Sequence, residues 1–199
     1  MKSVCVFCGS SFGERAEYAR AARGLARAVA GQGMTLVYGG AAMGLMGLLA
    51  DTALEAGGRV VGVIPRALED REVAHTGLSE LHLVGSMHER KARMAELADG
   101  FVALPGGAGT LEEIFEVWTW VQIGLHAKPC GLLNVAGYYD GILAQLERME
   151  QDGFIRPAYR RALVVESDSE ALLGRFKSYA PPPDKWGDLP GSAPGGLTP

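Results

Sequence analysis

Short apolar runs at 4–8, 35–38, 60–64, 81–84, 101–104 and 131–133 alternate with amphipathic segments at 14–32, 45–56, 88–98, 110–125 and 138–152. No other feature constrains the fold as strongly. Runs this short and this rich in Val and Leu suit buried strands better than helices. Strands without a polar alternate face must be covered on both sides, which implies a parallel sheet between two helical layers. A last run at 163–165 and a helix from Ser169 complete the pattern. The predicted fold class is α/β: a Rossmann-like, doubly wound parallel sheet of about six or seven strands with helices on both faces. A chain of 199 residues suits one such domain.

The pattern stops after Tyr179. Residues 180–199 hold six of the ten prolines together with a cluster of glycines and few large apolar groups. Such a segment cannot bury enough surface to offset its ordering entropy, so a domain at 1–179 and a flexible tail at 180–199 are expected. The net charge of −4 advertises no nucleic-acid partner and no anionic membrane. The apolar runs are interrupted by Gly, Arg or Glu, so none should span a bilayer. Met1-Lys2-Ser3 leads directly into the first strand, which gives no signal peptide. Three cysteines are too few for a disulfide framework, and a cytoplasmic protein is expected.

The strongest chemical signal is Pro105-Gly106-Gly107-Ala108-Gly109-Thr110, set between a strand and a helix. Glycines there let backbone N–H groups approach an anion, and the helix start points unpaired donors at it. A bland reading competes: Thr110-x-x-Glu113 has the spacing of a capping box, so Glu113 is either cap or catalyst. Gly39-Gly40-x-x-x-Gly44 also lies at the carboxyl end of a strand, where α/β sheets bind ligands, although tight helix–strand packing explains it equally well. After the first strand, Ser10 could meet a base or ribose. Met87-His88-Glu89-Arg90-Lys91 opens the helix after the fourth strand. Parallel strands place all such helix starts at one sheet edge, so Arg90 and Glu113 belong there together; a surface ion pair is the alternative for Arg90.

Other chemistries lack their signatures. No G-x-G-x-x-G dinucleotide fingerprint follows the first strand, and no G-x-x-x-x-G-K-[ST] occurs. Cys5-x-x-Cys8 falls within a strand and reads as buried structure rather than a redox or metal pair. The four histidines show no ligand spacing, so neither metal nor cofactor is expected.

Together these residues resemble the Lonely Guy family of cytokinin riboside 5′-monophosphate phosphoribohydrolases, once mislabelled lysine decarboxylases. The likeness covers roughly 2–179. It rests on P-G-G-x-G-T-x-x-E at 105–113, Met87-His88-x-Arg90-Lys91, and Gly39-Gly40-x-x-x-Gly44-Leu45-Met46-Gly47. Two further segments share it, Trp120-x-Gln122-x-Gly124-x-His126-x-Lys128-Pro129 and Leu132-Leu133-Asn134-x-x-Gly137-Tyr138-Tyr139-Asp140. The resemblance implies hydrolysis of the N-glycosidic bond of an adenine-type nucleoside 5′-monophosphate, a cytokinin nucleotide or AMP, to free base and ribose 5-phosphate. It maps the catalytic pair onto Arg90 and Glu113. Substrate binding maps onto Gly106, Gly107, Ala108, Gly109 and Thr110, with Met87 and Lys91 beside them. It also implies a homodimer, consistent with Ile114, Phe115, Val117, Trp118 and Val121 crowding one helix. Two rivals remain at this point. A non-catalytic nucleotide carrier or sensor would keep the glycine loop without needing Arg90 and Glu113. A pyridoxal-phosphate decarboxylase would need Lys91 or Lys128.

Overall fold

A computed structural model describes residues 1–69, 73–183 and 185. The chain runs β1 (Ser3–Phe7), α1 (Ala16–Gly31), β2 (Thr35–Tyr38), α2 (Gly44–Glu55), β3 (Val60–Pro65), α3 (Arg66–Glu69), β4 (Glu80–Val84), α4 (Met87–Leu97), β5 (Phe101–Ala103) and α5 (Ala108–Gln122). It continues through β6 (Cys130–Leu133), α6 (Asp140–Gln151), α7 (Pro157–Ala162), β7 (Leu163–Glu166) and α8 (Ser169–Lys177). All seven strands form one sheet in the order β4-β3-β2-β1-β5-β6-β7, and every neighbouring pair is parallel. The expected tail at 180–199 falls largely outside the described residues; near its start, Lys185 N–H donates to the Gln122 carbonyl at 2.8 Å.

Apart from β4, half-buried at the sheet edge, the strands are largely apolar because each feeds two cores. Along β1, Cys5 and Phe7 join a cluster with Met94, Ile114, Trp118 and Tyr139 from α4, α5 and the segment before α6. Val4, Val6 and Cys8 join the opposite cluster, with Leu25 and Val29 of α1, Leu49 of α2 and Leu172 of α8. Period-2 alternation thus serves both faces of the sheet. It also puts Cys5, and Cys8 just past the end of β1, on opposite sides, both buried and free.

Most of the apolar excess on α5 belongs to this core. Ile114, Val117, Trp118 and Val121 are all buried within the chain, and only Phe115 of the five expected at an interface is partly open.

The strand order positions the site. From β1 the chain winds outward through β2, β3 and β4, then returns to lay β5 against the other side of β1. The helices leaving β1 and β5 therefore diverge to opposite faces, and a crevice opens at the carboxyl ends of these two strands.

Candidate active site

Backbone bonds close the floor of that crevice. Leu104 N–H donates to the Phe7 carbonyl at 2.9 Å, and Gly9 N–H to the Pro105 carbonyl at 3.1 Å, tying the loop after β1 to the glycine loop after β5. Helix α5 begins at Ala108, two residues earlier than its pattern suggested, with Gly107 as its N-cap and no side-chain capping bond. Its entry into the helical ladder is Leu111 N–H on the Gly107 carbonyl at 3.2 Å. Thr110 is therefore inside the first turn and cannot be the N-cap, so the capping-box reading of Thr110 and Glu113 falls. A side-chain cap is on α4 instead: Ser86 Oγ accepts from Glu89 N–H at 3.1 Å, while Glu89 reaches one residue past this N-cap to accept from Gly85 N–H at 2.6 Å. What α5 offers is an uncapped first turn at Gly107, Ala108 and Gly109, all solvent-exposed. A Cβ added at Gly107 or Gly109 would meet nothing within 4 Å.

Arg90 rises from the first turn of α4 and is only 5% exposed. Its Nη2 donates to the Gly39 carbonyl at 3.0 Å, and its Nη1 lies 3.7 Å from Met87 Sδ. The guanidinium lies so close over Gly39 that a Cβ there would fall 1.8 Å from Nη2. Here glycine is required by close approach. Across the crevice stands Glu113, half-buried in the second turn of α5. Arg90 and Glu113 line one cleft of about 230 Å³, together with Ser10, Gly39, Met87, Gly107, Gly109 and Thr110. Both charges act on the end of β1. Burial pushes the Cys5 thiol well up, the Glu113 carboxylate pushes it further, and the Arg90 guanidinium pulls it back. Burial and then Glu113 likewise raise Cys8, which lines the cleft.

Five residues expected at the site do not line this cleft. Lys91 turns to α5, where Nζ pairs with Glu112 and with Glu116 at 3.0 Å. Burial works against that ammonium, but the hydrogen bonds it donates to Glu112 and Glu116 outweigh it and hold the pKa above its ordinary value. Gly40, at φ +79°, packs on Ile64 and Leu81, and its role is to fit the β2–α2 turn against the sheet. Gly44, at φ +54°, abuts the Ser10 backbone, where a Cβ would fall 2.4 Å from the carbonyl, so it positions Ser10. Gly106 lies beneath Thr110 Oγ1, and Ala108 is on the outer side of the first turn.

Other contributors had no motif logic of their own. Tyr138 Oη donates to the Gly106 carbonyl at 2.5 Å and Tyr139 Oη to the Leu104 carbonyl at 2.6 Å. Asn134 orders this pair, accepting from Tyr139 N–H at 2.7 Å and donating to Asp140 at 2.7 Å. The Asn-x-x-Gly-Tyr-Tyr-Asp segment is thus a brace for the glycine loop. Met46 and Met94 complete the cleft's apolar wall. A period-3.6 reading assigns these methionines to the core, and only their place at the sheet edge brings them to the cleft.

The chain is similar to several known proteins. The family described as "possible lysine decarboxylase" matches residues 46–176. A cytokinin riboside 5′-monophosphate phosphoribohydrolase of Rhodococcoides fascians is 52% identical over 178 residues, covering 89% of this chain and 90% of that protein. One from Arabidopsis thaliana is 48% identical over 180 residues, covering 90% and 79%. Among solved structures, the molybdenum cofactor carrier protein of Chlamydomonas reinhardtii superposes with a TM-score of 0.67 at 21% identity, covering 88% of this chain and 96% of that one. That last likeness speaks to fold alone.

Proposed function

The chain belongs to the family of cytokinin riboside 5′-monophosphate phosphoribohydrolases, and we propose that it performs their reaction in the cleft between Arg90 and Glu113. It is a hydrolase that releases the base from a cytokinin riboside 5′-monophosphate, leaving ribose 5-phosphate. One observation carries the assignment of the site: a buried arginine, a carboxylate and an uncapped helix N-terminus converge on one cleft at the switch point of the sheet.

The 5′-phosphate binds at the first turn of α5, where Gly107, Ala108 and Gly109 offer backbone donors. The helix dipole contributes about 0.3–1 kcal/mol to such an anion, and each N–H bond to a charged acceptor about 1.5–3 kcal/mol more. This remote binding energy fixes the sugar against the catalytic groups. Cleavage of the C1′–N9 bond develops positive charge on the ribose. The Glu113 carboxylate stabilises that charge, by about 4 kcal/mol at a separation near 4 Å and an effective dielectric near 20. It also orients or deprotonates the attacking water. Arg90 holds the substrate. AMP presents the same phosphate and sugar, and we include it among the substrates.

Pyridoxal phosphate, which the decarboxylase label implies, does not fit. A Schiff base needs a lysine in the cleft, and no lysine lines it. Lys91 is engaged by Glu112 and Glu116, and Lys128 Nζ donates to the Ala95 carbonyl at 2.7 Å. We further propose a cytoplasmic homodimer. The half-buried Leu111, Phe115 and Trp120 on α5 support the dimer, and three free, buried cysteines are consistent with a reducing compartment. Light scattering on the purified protein tests the dimer. The reaction is tested by incubating the protein with isopentenyladenosine 5′-monophosphate and, separately, AMP. Free base and ribose 5-phosphate in equal amounts support it, and tight binding without base release would leave only a carrier.

A further inference from the structure

The connection from β3 to β4 does more than link two strands. Beyond α3 it returns to the turn after β2, where Ala74 forms an antiparallel bridge with Ala41. Ala42 N–H donates to the Val73 carbonyl at 2.9 Å, and His75 N–H donates to the Gly40 carbonyl at 2.9 Å. Residues 73–75 thus strap down the three residues that follow Gly39, whose carbonyl receives Arg90. Val73 sits at φ +48°, a region that β-branched residues avoid. The conformation of the strap is therefore imposed by its contacts.

The strongest of those contacts is the ring of His75, whose side chain is 12% exposed. Its Nδ1 accepts from Gly77 N–H at 3.0 Å, which assigns the ring proton to Nε2. Nε2 faces Asp51 Oδ1 of α2 at 2.9 Å. The imidazole therefore joins the strap to the helix that the Gly39–Gly40 turn feeds. Neither His75 nor Asp51 lines the catalytic cleft.

We propose that His75, held by Asp51, is a positioning residue for the hydrolysis: it clamps the Gly39–Gly40 turn and so fixes the carbonyl that orients Arg90. This rests on Arg90 acting in the cleft as described above. An ångström of misplacement at a catalytic group can cost about a hundredfold in rate, and a loosened turn shifts Arg90 by less than that. Loss of the clamp should lower kcat/KM on the order of tenfold.

The test compares base release from isopentenyladenosine 5′-monophosphate by wild type, His75→Ala, Asp51→Ala, Arg90→Lys and the His75→Ala/Arg90→Lys double variant. His75→Gln, which keeps an N–H donor for Asp51, serves as the rescue. The clamp predicts a tenfold loss for His75→Ala and Asp51→Ala, at least partial recovery with Gln, and under twofold further loss when His75→Ala is added to Arg90→Lys. An equal loss in both backgrounds would reveal a general structural effect and overturn the proposal, as would full activity in a folded His75→Ala. Asp51 is 59% exposed, so Asp51→Ala carries the same comparison if His75→Ala does not fold. Amide hydrogen exchange reads the clamp without turnover. Exchange at least tenfold faster at the Ala42 and His75 amides, which bond across the strap, in Asp51→Ala supports it, and unchanged exchange there overturns it. A wild type that releases no base would refute the assigned reaction, while exchange still decides the clamp.

Discussion

Replacing Gly39 by alanine adds a single methyl group in the place where the structure has least room for one. Its Cβ would fall 1.8 Å from Arg90 Nη2, 3.0 Å from Arg90 Cζ and 2.6 Å from Met46 Cε. Non-bonded heavy atoms need about 3.5 Å, so one of these groups must retreat by roughly 1.5 Å. The Met46 methyl can swing aside. Arg90 is 5% exposed and pinned over the turn, so its guanidinium has to leave the Gly39 carbonyl. The lost charge-assisted bond is worth about 1.5–3 kcal/mol, and an ångström-scale displacement of a catalytic group costs about a hundredfold. The expected result is a fall in kcat/KM on the order of a hundredfold. Overpacking should also lower stability by about 1–3 kcal/mol, a drop of several degrees in Tm for a chain of this size. The backbone at Gly39 is outside the left-handed region, so alanine meets no conformational penalty and the effect is steric alone. Base-release kinetics and thermal unfolding on one preparation measure both quantities. A Gly39→Ala protein with kcat/KM within threefold of wild type would refute the idea that Arg90 must sit on this carbonyl.

Gly109 invites the opposite outcome. Its Cβ would meet nothing within 4 Å and the residue is in the first turn of α5, so Gly109→Ala should stabilise the fold by up to about 0.5–1 kcal/mol while raising KM, because the methyl occupies the phosphate's space. Unchanged KM would place the phosphate elsewhere. His126 gives a pH dependence: burial, then the Lys128 ammonium, push its pKa down from 6.5 to about 4. The unfolded chain takes up that proton first, so stability is full above pH 6.5 and falls as the pH drops towards 4. The loss amounts to about 2 kcal/mol by pH 5. Urea unfolding at pH 7.5 and pH 5 should show this difference in wild type and not in His126→Gln; an equal loss of stability in both proteins would contradict it.

The sheet was legible because most of its strands are buried on both faces and so appear as nearly unbroken apolar runs between helical patterns, with only the edge strand β4 half-buried. The short helices α3 and α7 were not anticipated, although Pro157 at the first turn of α7 was an available signal. Parallel topology was enough to bring Arg90 and Glu113 to one edge, since both follow strands into crossover helices. Finer placement was beyond the pattern. Lys91 is one residue on from Arg90, about 100° round the helix, and that rotation sends it to Glu112 and Glu116. Gly39, Gly40 and Gly44 are alike as letters, yet one admits Arg90, one packs on β3 and one supports Ser10. His75 carries no spacing signal, because its partner Asp51 is on a different element and meets it only after folding.

Glu113→Gln asks whether Glu113 performs chemistry in this cleft. The amide keeps size and hydrogen-bonding capacity but cannot hold negative charge against the developing ribose cation. At saturating isopentenyladenosine 5′-monophosphate, kcat should fall on the order of 10³-fold with Tm and nucleotide affinity little changed. Full turnover by a folded Glu113→Gln protein would show that this carboxylate takes no part in cleaving the glycosidic bond.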